Sequence, residues 1–249
     1  MDSEWPVAIS RLILVLLYQG LLASMGGLDL IADAETAAAL AGDLLLRSTL
    51  HLNRGVWHLD SGNYDAAEVS FAETRELVEN GDSEAASVLL DTNCGELNLG
   101  LGEISKAVEF FERVVRQDPA SLPANISLIA EAGSGICELH AGQLRRAVSR
   151  HDRMEFPEYW SFDPTLPVTF RARIRRCHGD LAGALEVLRT TAEQVETRYP
   201  LSWIKLRMEE IRLLQTTDEA SATRLAHDVL MRAVQLGLTH QQKRIQALM

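Results

Sequence analysis

Residues 53–71 read NRGVWHLDSGNYDAAEVSF. Forty residues on, 93–111 read NCGELNLGLGEISKAVEFF, and forty further, 133–147 read GSGICELHAGQLRRA. Glycines recur at 55, 95 and 135 and again at 62, 102 and 142, and alanines at 67, 107 and 147. A fixed period in the range of ~20–50 residues marks an array of like supersecondary units.

Each unit reads as helix, turn, helix. The first glycine lies inside a helical segment, where it costs ~1 kcal/mol against alanine, so a closely packed neighbour is expected there. The second, seven residues later, suits a helix end that needs left-handed backbone. Tyr64, Ile104 and Leu144 come two residues after it, with Ala67, Ala107 and Ala147 three further on the same helix face. Such a hairpin buries its apolar face only against the next one. The expected fold is all-α, a right-handed α-solenoid of antiparallel helix hairpins occupying 1–249 as one domain.

This pattern resembles the tetratricopeptide repeat. The residues that carry the likeness are Asn53, Gly55, Gly62, Tyr64, Ala67 and Phe71, then Asn93, Gly95, Gly102, Ala107 and Phe111, closed by Asp118 and Pro119. The usual repeat is shorter than 40 residues, and the long-period variant resembles the repeat regions of bacterial signalling and transcriptional regulators. Longer helices are expected to hold the surplus, with 79–88 absorbing it in the first linker. Repeats are expected at 48–81, 88–121 and 128–155, with degenerate copies at 165–198 and 201–237 and an N-terminal one at 12–42. In the fourth repeat Ala172 stands at the mid-helix glycine station, and the last has no glycine at either station.

The resemblance implies that the first helix of each hairpin lines a concave surface, where Asn53 and Asn93 would meet a peptide backbone. Glu96, His140, Arg173 and Arg176 follow on the same helices, and Arg173 and Arg176 share a face. They are read as gripping an acidic partner or a phosphate, with Asp180, Glu186 or the acidic N-terminal half of another copy as alternative mates. Leu52, Val56 and Ile129 stand where a carboxylate clamp would need Lys or Arg. Phe156, Tyr159, Trp160 and Phe162 crowd a segment with prolines at 157, 164 and 167 that excludes a continuous helix. It reads either as a lid over a groove or as a linker plugging a seam.

The net charge of -11 argues against direct nucleic-acid binding. Residues 1–100 hold 16 acids and 4 bases, whereas 101–249 hold 19 and 20. Charge-asymmetric ends would let copies associate as a homo-oligomer. Only three of 24 basic residues are lysines, a bias that points to a GC-rich bacterial source. Three widely spaced cysteines build no disulfide framework and fit a reducing cytoplasm. The apolar run at 12–17 is too short for a membrane span, and Asp2 and Glu4 precede it, unlike the basic start of a secretory signal. It is read as a buried first helix.

Phosphate-loop and dinucleotide motifs are absent from the sequence. His51 and His58 lie on one helix face without a third metal ligand, the cysteines read as buried packing residues, and Glu209 and Glu210 read as a solvated pair. No cofactor, metal or catalytic set is expected. The sequence therefore points to a non-enzymatic protein- or peptide-binding scaffold, the regulatory or sensing segment of a bacterial regulator. A stand-alone receptor for a small ligand or signalling peptide, and an accessory part of an enzyme, are the alternatives.

Overall fold

The structure is a computed structural model that describes residues 27–81, 84–118 and 121–249. The apolar run at 12–17, most of the repeat at 12–42, and Pro119 lie outside them. Among the described residues there are twelve α-helices and no strand. The sequence reading treats the chain as one solenoid. The described chain divides into two compact units, 27–126 and 127–249.

The first unit holds α1 (Gly27–Ala41), α2 (Leu44–Asp60), α3 (Tyr64–Gly81), α4 (Glu84–Leu101) and α5 (Ile104–Val115). The second is built from α6 (Ala124–His140), whose first turn spans the boundary, α7 (Leu144–His151), α8 (Thr165–Cys177), α9 (Leu181–Val195), α10 (Pro200–Leu214), α11 (Glu219–Gln235) and α12 (Thr239–Gln246). In the first unit each helix from α1 to α5 packs on the next, and in the second each helix from α7 to α12 does so; α2 also meets α4 as α8 meets α10. Residues 79–81 and 84–88 are helical, so the surplus of the long period sits in helices and not in a linker.

The glycines split into two mechanisms. Gly62, Gly102 and Gly142 have φ of 74°, 77° and 71°, and Gly42, Gly179 and Gly237 end helices the same way. After each of the first three, an amide reaches back five residues to a helix carbonyl: Asn63 to His58, Glu103 to Asn98 and Gln143 to Glu138, all at 2.8 Å. This closes orphan carbonyls of the last turn. Gly42 and Gly237 are caps that the 40-residue period does not reveal.

The mid-helix glycines are ring sockets. Gly55 faces Phe71, and a Cβ on Gly95 would lie 2.7 Å from Phe111 Cε1. In both pairs the ring comes from the second helix of the same hairpin. Gly135 breaks the pattern, because its socket takes Phe170 from α8. The corresponding station on α7 is His151, whose ring stands edge-on to Phe170 at 6.0 Å.

Ala67, Ala107, Ala147 and Ala184 are fully buried where hairpin helices meet. Glu103 is exposed and pairs with Lys106 at 2.5 Å. Ala107→Trp is therefore expected to destabilise the chain by ~1–3 kcal/mol through overpacking. Glu103→Ala should stay within ~0.5 kcal/mol. Equal shifts in the thermal midpoints of the two variants would refute this register.

Candidate functional site

Three first helices of the second unit bring charged groups together. The middle one, α8, carries Arg173, which reaches α10 on one side and the C-terminal end of α6 on the other. Helix α10 begins with Pro200, suited to a first turn that has no use for its N–H. It is enclosed on almost every side, with Leu201, Ile204, Leu206, Met208, Ile211, Leu213 and Leu214 all buried. A carboxylate on such a helix survives only with partners.

Glu209 and Glu210 are buried, at 5% and 3% exposure, and are not the solvated pair expected. Arg173 grips Glu209 side-on, Nε to Oε1 at 2.8 Å and Nη2 to Oε2 at 3.3 Å. Arg212 donates to Oε2 at 2.9 Å. Burial opposes ionisation of Glu209, but the hydrogen bonds and charges of the two arginines outweigh it and hold its carboxyl below the usual range. Glu210 is matched the same way by Arg189 at 2.6 Å and Arg207 at 2.7 Å. A sequence signal was present: Arg207 and Arg212 each stand three residues from the carboxylate they meet.

The free side of Arg173 meets His140, Nη1 to Nε2 at 3.4 Å. A guanidinium only donates, so the imidazole nitrogen is the acceptor. Burial, reinforced by the charge of Arg173, holds the His140 pKa below its ordinary value. Thus His140, Arg173 and Glu209 form one polar row across α6, α8 and α10. Arg176 is exposed one turn beyond Arg173 on α8. Asp180, one of the expected mates, instead pairs with Arg175 at 3.0 Å and caps α9. With His140 neutral, Arg173, Arg176 and Arg212 outnumber Glu209 by two positive charges. Such a face suits a carboxylate of a partner.

In the first unit, α2 and α4 carry Asn53, Asn93 and Glu96. Asn53 is 6% exposed, and its Nδ2 is buried without a hydrogen-bond partner among the described residues. Asn53 is thus an enclosed donor. Asn93 is half-buried and donates to its own helix, to Leu89 O at 2.8 Å. Glu96 is half-buried. On the same α2, Arg54 Nη1 donates to Glu35 at 2.8 Å, and Arg54 also pairs with Glu73. His51 Nδ1 lies 3.1 Å from Glu73 Oε2. Burial pushes the Glu35 carboxyl upward against the pull of His51 and Arg54. These carboxylates arrive from α1 and α3, beyond the reach of any local motif.

The aromatic segment is mostly core. Trp160 is buried, and Phe156 and Phe162 pack on the same cluster with Val168, Leu188 and Tyr199. Trp160 and Phe162 meet edge to face at 5.4 Å, and Tyr199 Oη donates to Ser161 O at 2.7 Å. Tyr159 alone of the four is exposed, at 74%. Cys94 and Cys137 are buried, whereas Cys177 is exposed, contrary to the packing role expected for all three. Burial pushes the Cys94 thiol up to about 11 despite Arg75, so it stays protonated at neutral pH.

Among the described residues no group of three His, Cys, Asp or Glu side chains is placed to hold a metal ion, and no helix is long and apolar enough to cross a membrane. Searches of protein-family models and of curated proteins return no match to the chain.

Proposed function

We propose that the chain is a non-enzymatic protein- or peptide-binding scaffold, a tetratricopeptide-like α-solenoid whose first helices form the binding wall. In this reading it serves as the regulatory or sensing segment of a bacterial signalling or transcriptional regulator. The repeat spacing and the hairpin-by-hairpin packing within each unit support the solenoid. The observation that carries the binding role is Asn53: an amide donor buried on a first helix with no mate among the described residues. An unmet buried donor costs ~1–3 kcal/mol, and a backbone carbonyl admitted by an outward shift of the side chains over Asn53 would relieve that cost. The row His140–Arg173–Glu209 adds a second polar wall on the first helices of the other unit, with Arg176 and Arg212 offering charge to an acidic segment.

A random peptide library selected on the immobilised full chain tests this. Asn53→Ala is expected to keep or raise the wild-type thermal midpoint, because the lost amide makes no bond from its nitrogen and its unmet burial penalty goes with it. It should weaken the selected peptides by ~1–3 kcal/mol, the scale of a hydrogen bond left unmade in a dry site. Adding Asn93→Ala should change little more, since Asn93 Nδ2 is engaged by Leu89. Selected peptides that bind Asn53→Ala as tightly as wild type would sink the first-helix binding wall.

A further inference from the structure

A cluster of arginines marks α7, the second helix of its hairpin. Four arginines fall in the ten residues 144–153, at 145, 146, 150 and 153. They do not spread around the helix. A cavity of about 260 Å³ opens beside α7, lined by Glu138, Arg145, Arg146, Ser149, Arg150 and Arg153.

The four play different parts. Arg150 is 6% exposed and forms the floor. It donates to Glu138 at 3.0 and 3.3 Å and pairs with Glu131, so its charge is matched twice. Arg145, Arg146 and Arg153 are exposed around the rim. Arg146 is tethered to Gln143 Oε1 at 3.1 Å and leans on Glu138 at 3.5 Å. Arg153 Nη1 donates to Ser149 Oγ at 3.1 Å, which holds that guanidinium over the opening. The hydroxyl proton of Ser149 can then point to a bound anion. Four guanidiniums against Glu131 and Glu138 leave two positive charges, concentrated at one mouth.

We infer that this arginine cavity is an anion site for a phosphate headgroup, either inorganic phosphate or a small phosphomonoester. Charge is the first reason, because a phosphate group carries ~1.5–2 negative charges at neutral pH, which the surplus matches. Donor geometry is the second: Arg forks recognise tetrahedral oxyanions with paired N–H donors. Size and lining are the third. Drug-sized ligands occupy ~300–1,000 Å³ and need apolar walls, whereas this cavity is smaller and none of its six lining residues is aromatic or aliphatic. It can seat a charged head but offers nothing to stack a base or bury a chain.

The probes are sodium phosphate and glycerol 3-phosphate, titrated calorimetrically into the full chain at an ionic strength held constant with sodium chloride. Wild type is expected to bind at least one of them saturably and to gain thermal stability with it. Arg145→Gln and Arg153→Gln should each weaken binding by about tenfold or more, the scale of a lost charge-assisted pair. Arg145→Lys keeps the charge without the fork and should fall between. Arg224→Gln, exposed on α11 and outside the cavity, should bind as wild type. Tighter phosphate names the free ion as ligand and tighter glycerol 3-phosphate names the ester, and either supports the site. No saturable binding, full affinity in the variants Arg145→Gln and Arg153→Gln, or an equal loss in Arg224→Gln would each overturn it.

Discussion

Gly135→Ala is expected to destabilise the chain by about 3 kcal/mol, although alanine is the better helix former. The propensity term alone favours the variant by ~1 kcal/mol. Against it stands Phe170, fully buried, with Cε1 2.7 Å from where the new Cβ would sit. That separation is below any normal carbon contact, and a fully buried ring can yield only by displacing its packed neighbours. Displacing it forfeits much of its burial, on the ~3–5 kcal/mol scale of losing a core Phe. In a domain of this size that difference lowers the thermal midpoint by roughly 6–12 °C. Phe170→Leu should cost stability by itself, yet the pair Gly135→Ala/Phe170→Leu should lose less than the two singles summed. Simple additivity would refute the socket. Gly142→Ala serves as the contrast, since nothing lies within 4 Å of its new Cβ and only the left-handed backbone is penalised, by ~1–2 kcal/mol.

The second large effect belongs to Glu209. Glu209→Gln should destabilise by about 3 kcal/mol at neutral pH, the low end for removing one member of a buried ion pair. The low end applies because Arg173 and Arg212 are 29% and 38% exposed and can turn to water. The acid dependence gives a sharper check. The folded-state carboxyl is held low, so its contribution is complete above the unfolded value of ~4.3 and is lost as pH falls through the folded value. The gap in urea midpoint between wild type and Glu209→Gln should therefore be wide at pH 7 and narrow below about pH 4. A gap that is constant with pH would show that the charge is not what stabilises the fold.

What was legible beforehand was whatever repeats locally. Gly62, Gly102 and Gly142 act through their own backbone, and Ala67, Ala107 and Ala147 through the adjoining helix, so spacing alone reveals them. Partners from distant segments leave no such trace. Glu209 meets Arg173 across 36 residues, and Glu35 meets Arg54 across 19. Polarity therefore suggested solvent where the fold provides a mate. Asn53 reads as a surface polar residue for the same reason, because what encloses it comes from other helices. Arg150 looks like one more charge in a basic run until Glu131 and Glu138 approach it from α6. The aromatic segment had two open readings, and burial of Trp160 favours the seam over the lid.

The ring sockets have a consequence for how such a chain can be rebuilt over generations. Hairpins α2–α3 and α4–α5 each supply both glycine and phenyl ring, so each is a cassette that a duplication or deletion can copy or drop whole. The hairpin α6–α7 owns a socket but draws its ring from α8. Copied alone, it would carry an empty hollow; dropped alone, it would leave Phe170 stranded in water. A duplication or deletion would therefore have to carry the third and fourth hairpins together, whereas α2–α3 and α4–α5 can each move singly.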